Sequence, residues 1–270
     1  MTPKEFASKL RSGENLFGTL VVSPSPRWPE AVRNAGLDFI FMDTEHIALD
    51  RAQLSWMCQT YAAMGLPPIV RTTSPDPYEA CVVLDGGAAG VIAPYIESAE
   101  QARALRGAVK LRPLKGQRLA DKLAGTNFQP GLEEYVQKRN SAAVLILNIE
   151  SVPAIQALDE ILAVPDIDGV LIGPHDLSCS LGIPEQYGHP DFLAACQTIF
   201  SKARAAGVGA GIHFWGTIEE QARLMALGAN LLIHSADIML FQKHLRAELD
   251  AVKKAVGDQQ GGAETKVEAI

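Results

Sequence analysis

The chain has 270 residues, of which 47% are hydrophobic and 20% charged. That is enough apolar material for one large core and too little charge for a disordered chain. Its 24 Lys and Arg against 31 Asp and Glu give a net charge of −7 with no basic stripe, which argues against nucleic-acid binding.

From the N-terminus, MTPKEFASKLRSGEN carries an amphipathic helix pattern rather than the apolar core of a signal peptide. Beyond it, β-branched apolar runs alternate with helical periodicity. Strand Phe17–Ser23 is followed by helix Pro29–Ala35, Leu37–Asp43 by Arg51–Ala63, Pro68–Arg71 by Pro77–Leu84, and Gly90–Pro94 by Ser98–Val109. Then come strand Ala143–Glu150 and helix Val152–Leu162, strand Asp168–Gly173 and helix Asp191–Ala206, strand Val208–His213 and helix Thr217–Leu227, and strand Asn230–Ser235 and helix Asp237–Val256. Glycines such as Gly36, Gly207 and Gly228 close helices just before the next strand. Most strands are unbroken apolar runs, the mark of a parallel sheet covered on both faces. Eight such units predict an α/β fold of the (β/α)8 TIM-barrel type. The competing doubly wound sheet lacks support, since the first βα turn has no GxGxxG and no Walker loop occurs. One barrel domain over residues 1–256 is expected, with a polar, flexible tail over 257–270. The polar stretch Lys110–Asn140 reads as a long connection, and connections of that length are more often functional than idle. No apolar run is long enough to span a bilayer. Four scattered cysteines (Cys58, Cys81, Cys179, Cys196) suit a reducing compartment, so a soluble cytoplasmic protein without membrane attachment is expected.

Barrel enzymes build their sites at the carboxyl ends of the strands. There the chain places Asp43-Thr44-Glu45-His46, Arg71, Asn148-Ile149-Glu150, Gly173-Pro174-His175-Asp176 and His213. Each residue has a plain structural reading. Asp176 could cap a helix, Glu150 could favour a helix start, Arg71 could be an ion-pair partner, His46 could be structural, and Asp43 and Glu45 could be solvated or lie between subunits. All of these would have to hold at one rim, and polar side chains ending apolar strands are costly unless paired or liganded. Two carboxylates on neighbouring strand ends suit a hard divalent ion. Such an ion can hold a 2-oxo acid and stabilise its enolate, with an arginine for oxygen charge and a histidine to move a hydroxyl proton. A Schiff-base aldolase has less support because no predicted strand ends in lysine.

These blocks make the chain resemble the HpcH/HpaI aldolase/citrate lyase family, the class II pyruvate aldolases similar to 4-hydroxy-2-oxoheptanedioate aldolase. The resemblance runs from about Leu16 to Leu249. It rests on Ala35-Gly36-Leu37-Asp38-Phe39-Ile40 with Asp43-Thr44-Glu45-His46, on Val70-Arg71, on Leu84-Asp85-Gly86-Gly87-Ala88, on Ile149-Glu150, and on Ile167 through Ser178. It implies His46 as base, Arg71 as stabiliser of the transition state, and Asp85 as the carboxylate that raises the basicity of His46. Glu150 and Asp176 become metal ligands for Mg2+ or Mn2+, with Co2+ a further candidate. Asn148 is implied in substrate contact, and Gly173, Pro174 and His175 in receiving the substrate carboxylate. Asp85 falls on the opposite rim in a single chain, so a neighbouring subunit supplies it or its role is structural. The family also implies a homo-oligomer, a hexamer or trimer of dimers, that exchanges the helix over Asp237–Val256. Its substrates are a small 2-oxo acid and an aldehyde. The sequence departs from the family at Leu20, His175, His213-Phe214-Trp215 and His234, positions expected to face the distal part of the substrate. The extra histidines are compatible with a more acidic substrate. Two other readings stay open: a citrate-synthase-like condensation on a 2-oxo diacid, and a non-catalytic barrel that binds a small acid.

Overall fold

The computed structural model describes residues 1–258. Eight strands are present: β1 (Leu16–Leu20), β2 (Phe39–Asp43), β3 (Pro68–Arg71), β4 (Gly90–Ala93), β5 (Val144–Asn148), β6 (Gly169–Ile172), β7 (Gly209–Phe214) and β8 (Leu231–Ala236). All pair in parallel in chain order, and β8 returns to β1 to close the barrel. Helix α1 (Pro3–Ser12) precedes the barrel, and α2 (Trp28–Arg33), α3 (Arg51–Ala63), α4 (Pro77–Asp85) and α5 (Ala99–Lys110) follow the first four strands. Next come α6 (Gly116–Leu123) and α7 (Pro130–Asn140), then α8 (Val152–Gln156) and α9 (Leu158–Leu162) after β5. Helices α10 (Pro174–Ser180) and α11 (Pro190–Ala205) follow β6, α12 (Ile218–Ala226) follows β7, and α13 (Asp237–Ala255) follows β8. The chain is thus a single-domain (β/α)8 barrel. Of the polar tail expected over 257–270, residues 259–270 lie outside the described residues.

Strand parity sets which side chains enter the barrel. Phe39, Phe41, Ile69, Ile92, Val144, Ile146, Leu171, Leu231 and Ile233 pack in one buried cluster with Phe6 and Leu10 of α1. The alternate residues, including Ile40, Met42, Val70, Val91, Leu145, Leu147, Val170 and Ile212, join the larger cluster beneath the surrounding helices. Helix α1 closes the amino-terminal end. Its Leu10 packs so closely on β7 that a Cβ at Gly209 would overlap the Leu10 side chain, which is why this strand starts with glycine.

Three local expectations need correction. The stretch Lys110–Asn140, expected as a long functional βα connection, is instead a connection from α5 to β5, at the end away from the site, and folds as α6 and α7. Leu111, Leu114 and Val136 make a small core of their own with Leu119, Leu123, Phe128 and Leu132. These apolar residues recur at helical spacing, but the charges between them obscure the period. The helix expected over Val152–Leu162 breaks at Ala157 into α8 and α9. Helix α10, with proline at its first position, was missed inside the Gly173–Ser178 block. Among the described residues no helix is long and apolar enough to cross a membrane, and all four cysteines are free.

Candidate active site

The same parity that buries Phe39 and Phe41 carries Asp43 inward at the mouth of β2, as Ile69 does Arg71 and Val144 and Ile146 do Asn148. Asp43 and Arg71 are register partners on adjacent strands. Arg71 Nε donates to Asp43 Oδ1 at 2.9 Å and Nη2 to Oδ2 at 2.6 Å, and Nε also lies 3.1 Å from Glu45 Oε2. Asp43 and Glu45 are therefore neither freely solvated nor idle; they hold the guanidinium, and Nη1 has no protein hydrogen bond among the described residues. Burial pushes the Asp43 carboxyl up, but the paired guanidinium outweighs it and holds the group below its ordinary range. Burial likewise disfavours the Arg71 charge, and Asp43 more than restores it. Glu45 is pushed up by burial despite Arg71. His46 is half-exposed with Nε2 3.8 Å from Glu45 Oε2, on the edge of the cavity.

Across the mouth, Glu150 is 3% exposed and carries no countercharge in direct contact. Its Oε1 accepts from the Tyr95 N–H at 2.9 Å and its Oε2 from Asn148 Nδ2 at 3.0 Å. Burial lifts its carboxyl to about 7, against the pull of the Tyr95 N–H, and Asp176 adds to the rise. A buried carboxylate strained toward its neutral form beside a second acid asks for a cation. Gly173 leaves room for it, since a Cβ there would overlap Glu150 Oε2. Asn148 Oδ1, also buried, has no hydrogen-bond partner. Asp176 does not cap a helix: Gly173 occupies the cap of α10 and Asp176 lies in its first turn, while Ser151 caps α8 after Glu150. Among the described residues no three His, Cys, Asp or Glu side chains stand together as a metal cluster. Two carboxylates with oxygen donors left over suit a hard ion that keeps waters or takes substrate oxygens. The residues present fit such an ion.

Tyr95 was missed. It follows β4 with φ +50°, its backbone N–H serves Glu150, and its hydroxyl donates to Asp176 Oδ1 at 3.3 Å. Its place at the end of β4, the one rim position without a candidate between Arg71 and Asn148, was the available signal.

A cavity of about 540 Å³ is lined by His46, Arg71, Asn148 and Asp176. Gly173, Pro174, His175 and Asp176 line it beside Asn148, as do Phe41, His213 and Trp215. His213 is enclosed, its Nε2 3.0 Å from the Ser235 carbonyl, and burial lowers it to about 4, so it is neutral near pH 7. His234 does not share this cavity: its Nδ1 is 2.7 Å from Gln221 Oε1 and it lines a separate groove against α13. Leu20 is buried in the barrel core instead of facing a substrate. Asp85 sits at the far end of α4, exposed and 2.9 Å from Arg112 Nη1, outside the site within this chain.

The family model for HpcH/HpaI aldolase/citrate lyase matches residues 17–243. A 2-keto-3-deoxy-L-rhamnonate aldolase from Escherichia coli is 32% identical over 249 residues, 92% of each chain. Among solved structures, the citrate synthase SbnG is 29% identical with a TM-score of 0.78, covering 94% of this chain and 98% of its own. An HpcH/HpaI aldolase from Desulfitobacterium hafniense is 27% identical with a TM-score of 0.79, covering 96% and 98%. The chain belongs to the HpcH/HpaI aldolase/citrate lyase family. It is an enzyme of the class II aldolase/lyase type, and the non-catalytic reading gives way.

Proposed function

We propose that the protein cleaves a 4-hydroxy-2-oxo acid reversibly into pyruvate, or a close 2-oxo acid, and an aldehyde. The observation that carries this reading is Glu150, a buried carboxylate raised to about 7 beside Asp176. Glu150 and Asp176 would hold Mg2+ or Mn2+, with Co2+ a further candidate, and Asn148 Oδ1 is free to meet a water or the substrate. A bound divalent ion supplies positive charge to the enolate that forms at the 2-oxo carbonyl. His46 takes the proton of the C4 hydroxyl; as that oxygen becomes a carbonyl, the C3–C4 bond breaks and its electron pair passes into the enolate. Arg71, fixed by Asp43 and Glu45, faces the developing oxygen charge with its remaining N–H groups. Backbone around Gly173–His175 receives the substrate carboxylate. Protonation of the enolate at C3 then yields the 2-oxo acid. Incubation with Mn2+ or Mg2+ and a panel of 2-oxo acids and aldehydes tests the proposal. The absence of both aldol product and solvent-proton exchange into pyruvate would sink it.

The similarity to a citrate synthase keeps one second reading in view, condensation of oxaloacetate with acetyl-CoA, and citrate formation is its assay. A homo-oligomer is also part of the proposal. On α13 only Asp237 is buried, while Ile238, Phe241, Leu245, Leu249 and Val252 form an exposed apolar stripe at spacings of three and four. An exchanged α13 in a hexamer or trimer of dimers would cover it, and a neighbour could then bring Asp85 to the site. Light scattering of wild type and Leu245→Glu reads this directly. A cytoplasmic setting fits the four free cysteines.

A further inference from the structure

Beyond the metal pair, the cavity continues along a wall of aromatic edges. Phe41 and His213 meet with centroids 5.5 Å apart at 69°, and His213 and Trp215 at 5.5 Å and 76°. Tyr187 props Trp215 from behind at 6.2 Å. Glu185, from the connection between α10 and α11, lines the same cavity. Its backbone is held in place, while its side chain is 68% exposed. The fully buried Ser178 hydroxyl accepts the Glu185 N–H at 3.0 Å and donates to the His175 carbonyl at 2.8 Å. Glu185 keeps φ +60° there, a conformation few non-glycine residues adopt. Its carboxylate stands 3.9 Å from His175 Nδ1.

The charges lining the cavity are one-sided. Among the described residues Arg71 is its sole lysine or arginine, and Asp43 and Glu45 already hold it. Asp176 and Glu185 add negative charge, and the enclosed His213 is neutral. The metal and Arg71 can serve the 2-oxo acid half. Apart from the imidazoles of His46 and His175, no lining group among the described residues beyond Arg71 offers a positive partner to a second carboxylate, which would also meet the like charge of Glu185. Unpaired like charge is an effective way to reject a competing ligand.

We propose that the acceptor half of the cavity selects an uncharged aldehyde and rejects one with a terminal carboxylate, with Glu185 as the specificity-determining residue. The proposal rests on the aldolase reading and departs from the more acidic substrate with which the additional histidines are compatible. Butanal and succinic semialdehyde have four carbons each and differ in that terminal charge. With pyruvate and Mn2+ at low ionic strength, kcat/KM is expected to favour butanal at least tenfold. The ratio should shrink threefold or more in Glu185→Lys, shrink less in Glu185→Gln, and fall as salt screens the repulsion. Equal or better use of succinic semialdehyde by wild type, or the same ratio in all three proteins, overturns the proposal. Turnover of no aldehyde defeats the aldolase reading instead, and charge exclusion is then read without turnover. In a Trp28→Phe, Trp56→Phe background Trp215 is the sole indole. Iodide, relative to neutral acrylamide, should quench it at least twofold better in Glu185→Lys than with Glu185 intact. Equal quenching overturns the proposal.

Discussion

At the amino-terminal end of the barrel Asp168 is wholly buried, and its carboxylate meets Arg11, Lys110 Nζ at 2.5 Å and the Leu145 N–H at 2.9 Å. One acid there faces two cations and a backbone donor. At the carboxyl-terminal end Asp43, Glu45, Glu150 and Asp176 gather with Arg71, the one lysine or arginine lining the cavity among the described residues, and Asn148 Oδ1 has no hydrogen-bond partner among them. Both ends bury carboxylates in the same barrel: Asp168 and Asp43 are paired with cations of the chain, whereas Glu150 has no countercharge in direct contact among the described residues. The closed end uses its charges to tie α1 and α5 to the strands. The open end holds unspent negative charge, and that surplus is what the proposed metal site rests on.

Breaking the open end has the largest expected effect. Glu150→Gln keeps the acceptor for the Tyr95 N–H and the shape of the site but removes one negative charge. Nearly all turnover and tight Mg2+ or Mn2+ binding should disappear, and calorimetric titration showing equal affinity in both proteins would rule Glu150 out as a ligand. His46→Ala should cost roughly 10²–10⁴ in cleavage rate, the span usual for general acid–base catalysis. Pyruvate proton exchange should survive better in that variant than in Arg71→Ala. Arg71→Lys should recover little because the planar fork to Asp43 is lost. Full cleavage activity in His46→Ala with an unchanged pH profile would remove it as the base.

Breaking the closed end should separate stability from chemistry. Asp168→Ala strands two cations and is expected to cost about 3–5 kcal/mol in denaturant unfolding, with kcat per folded molecule preserved. A large kcat loss at full stability would undo the contrast between the two ends.

A smaller effect sharpens the contrast through pH. Unfolded, Glu150 releases its proton near the ordinary carboxylate value of 4.5; folded and metal-free, it keeps the proton to about 7. The native state binds more protons in that window, so the Glu150 contribution to metal-free stability is full below 4.5 and falls as pH rises toward 7. The loss is about 3 kcal/mol at most. Urea melts in chelator from pH 5 to 8 should show this slope in wild type and its flattening in Glu150→Gln. Metal binding runs the other way, gaining affinity as the proton leaves. The smallest effect belongs to Tyr95→Phe. Losing the hydroxyl contact to Asp176 removes about 1 kcal/mol, seen as a several-fold weaker metal affinity with the Glu150 contact from the backbone intact. No change in affinity would leave Tyr95 without a role in positioning Asp176.

Much of this was legible from the chain alone because it depends on local period and order. Unbroken apolar strands between helices, closed by Gly36, Gly207 and Gly228, specify a parallel barrel, and the observed strands begin and end within a few residues of those expected. A barrel then places whatever follows each strand on one rim, which is how His46, Arg71, Asn148, Glu150 and Asp176 could be collected without coordinates. Partnership was not legible, since it depends on register and depth. Only the pairing of β2 with β3 sets Asp43 against Arg71, and only the fold brings Tyr95 under both Glu150 and Asp176. The fold also sends His234 to Gln221 and pairs Asp85, already expected at the opposite rim, with Arg112. Apolar periodicity is written residue by residue along the chain. The protonation of Glu150 and the one-sided charge beside Glu185 arise from groups distant in sequence whose fields add only once the barrel has closed.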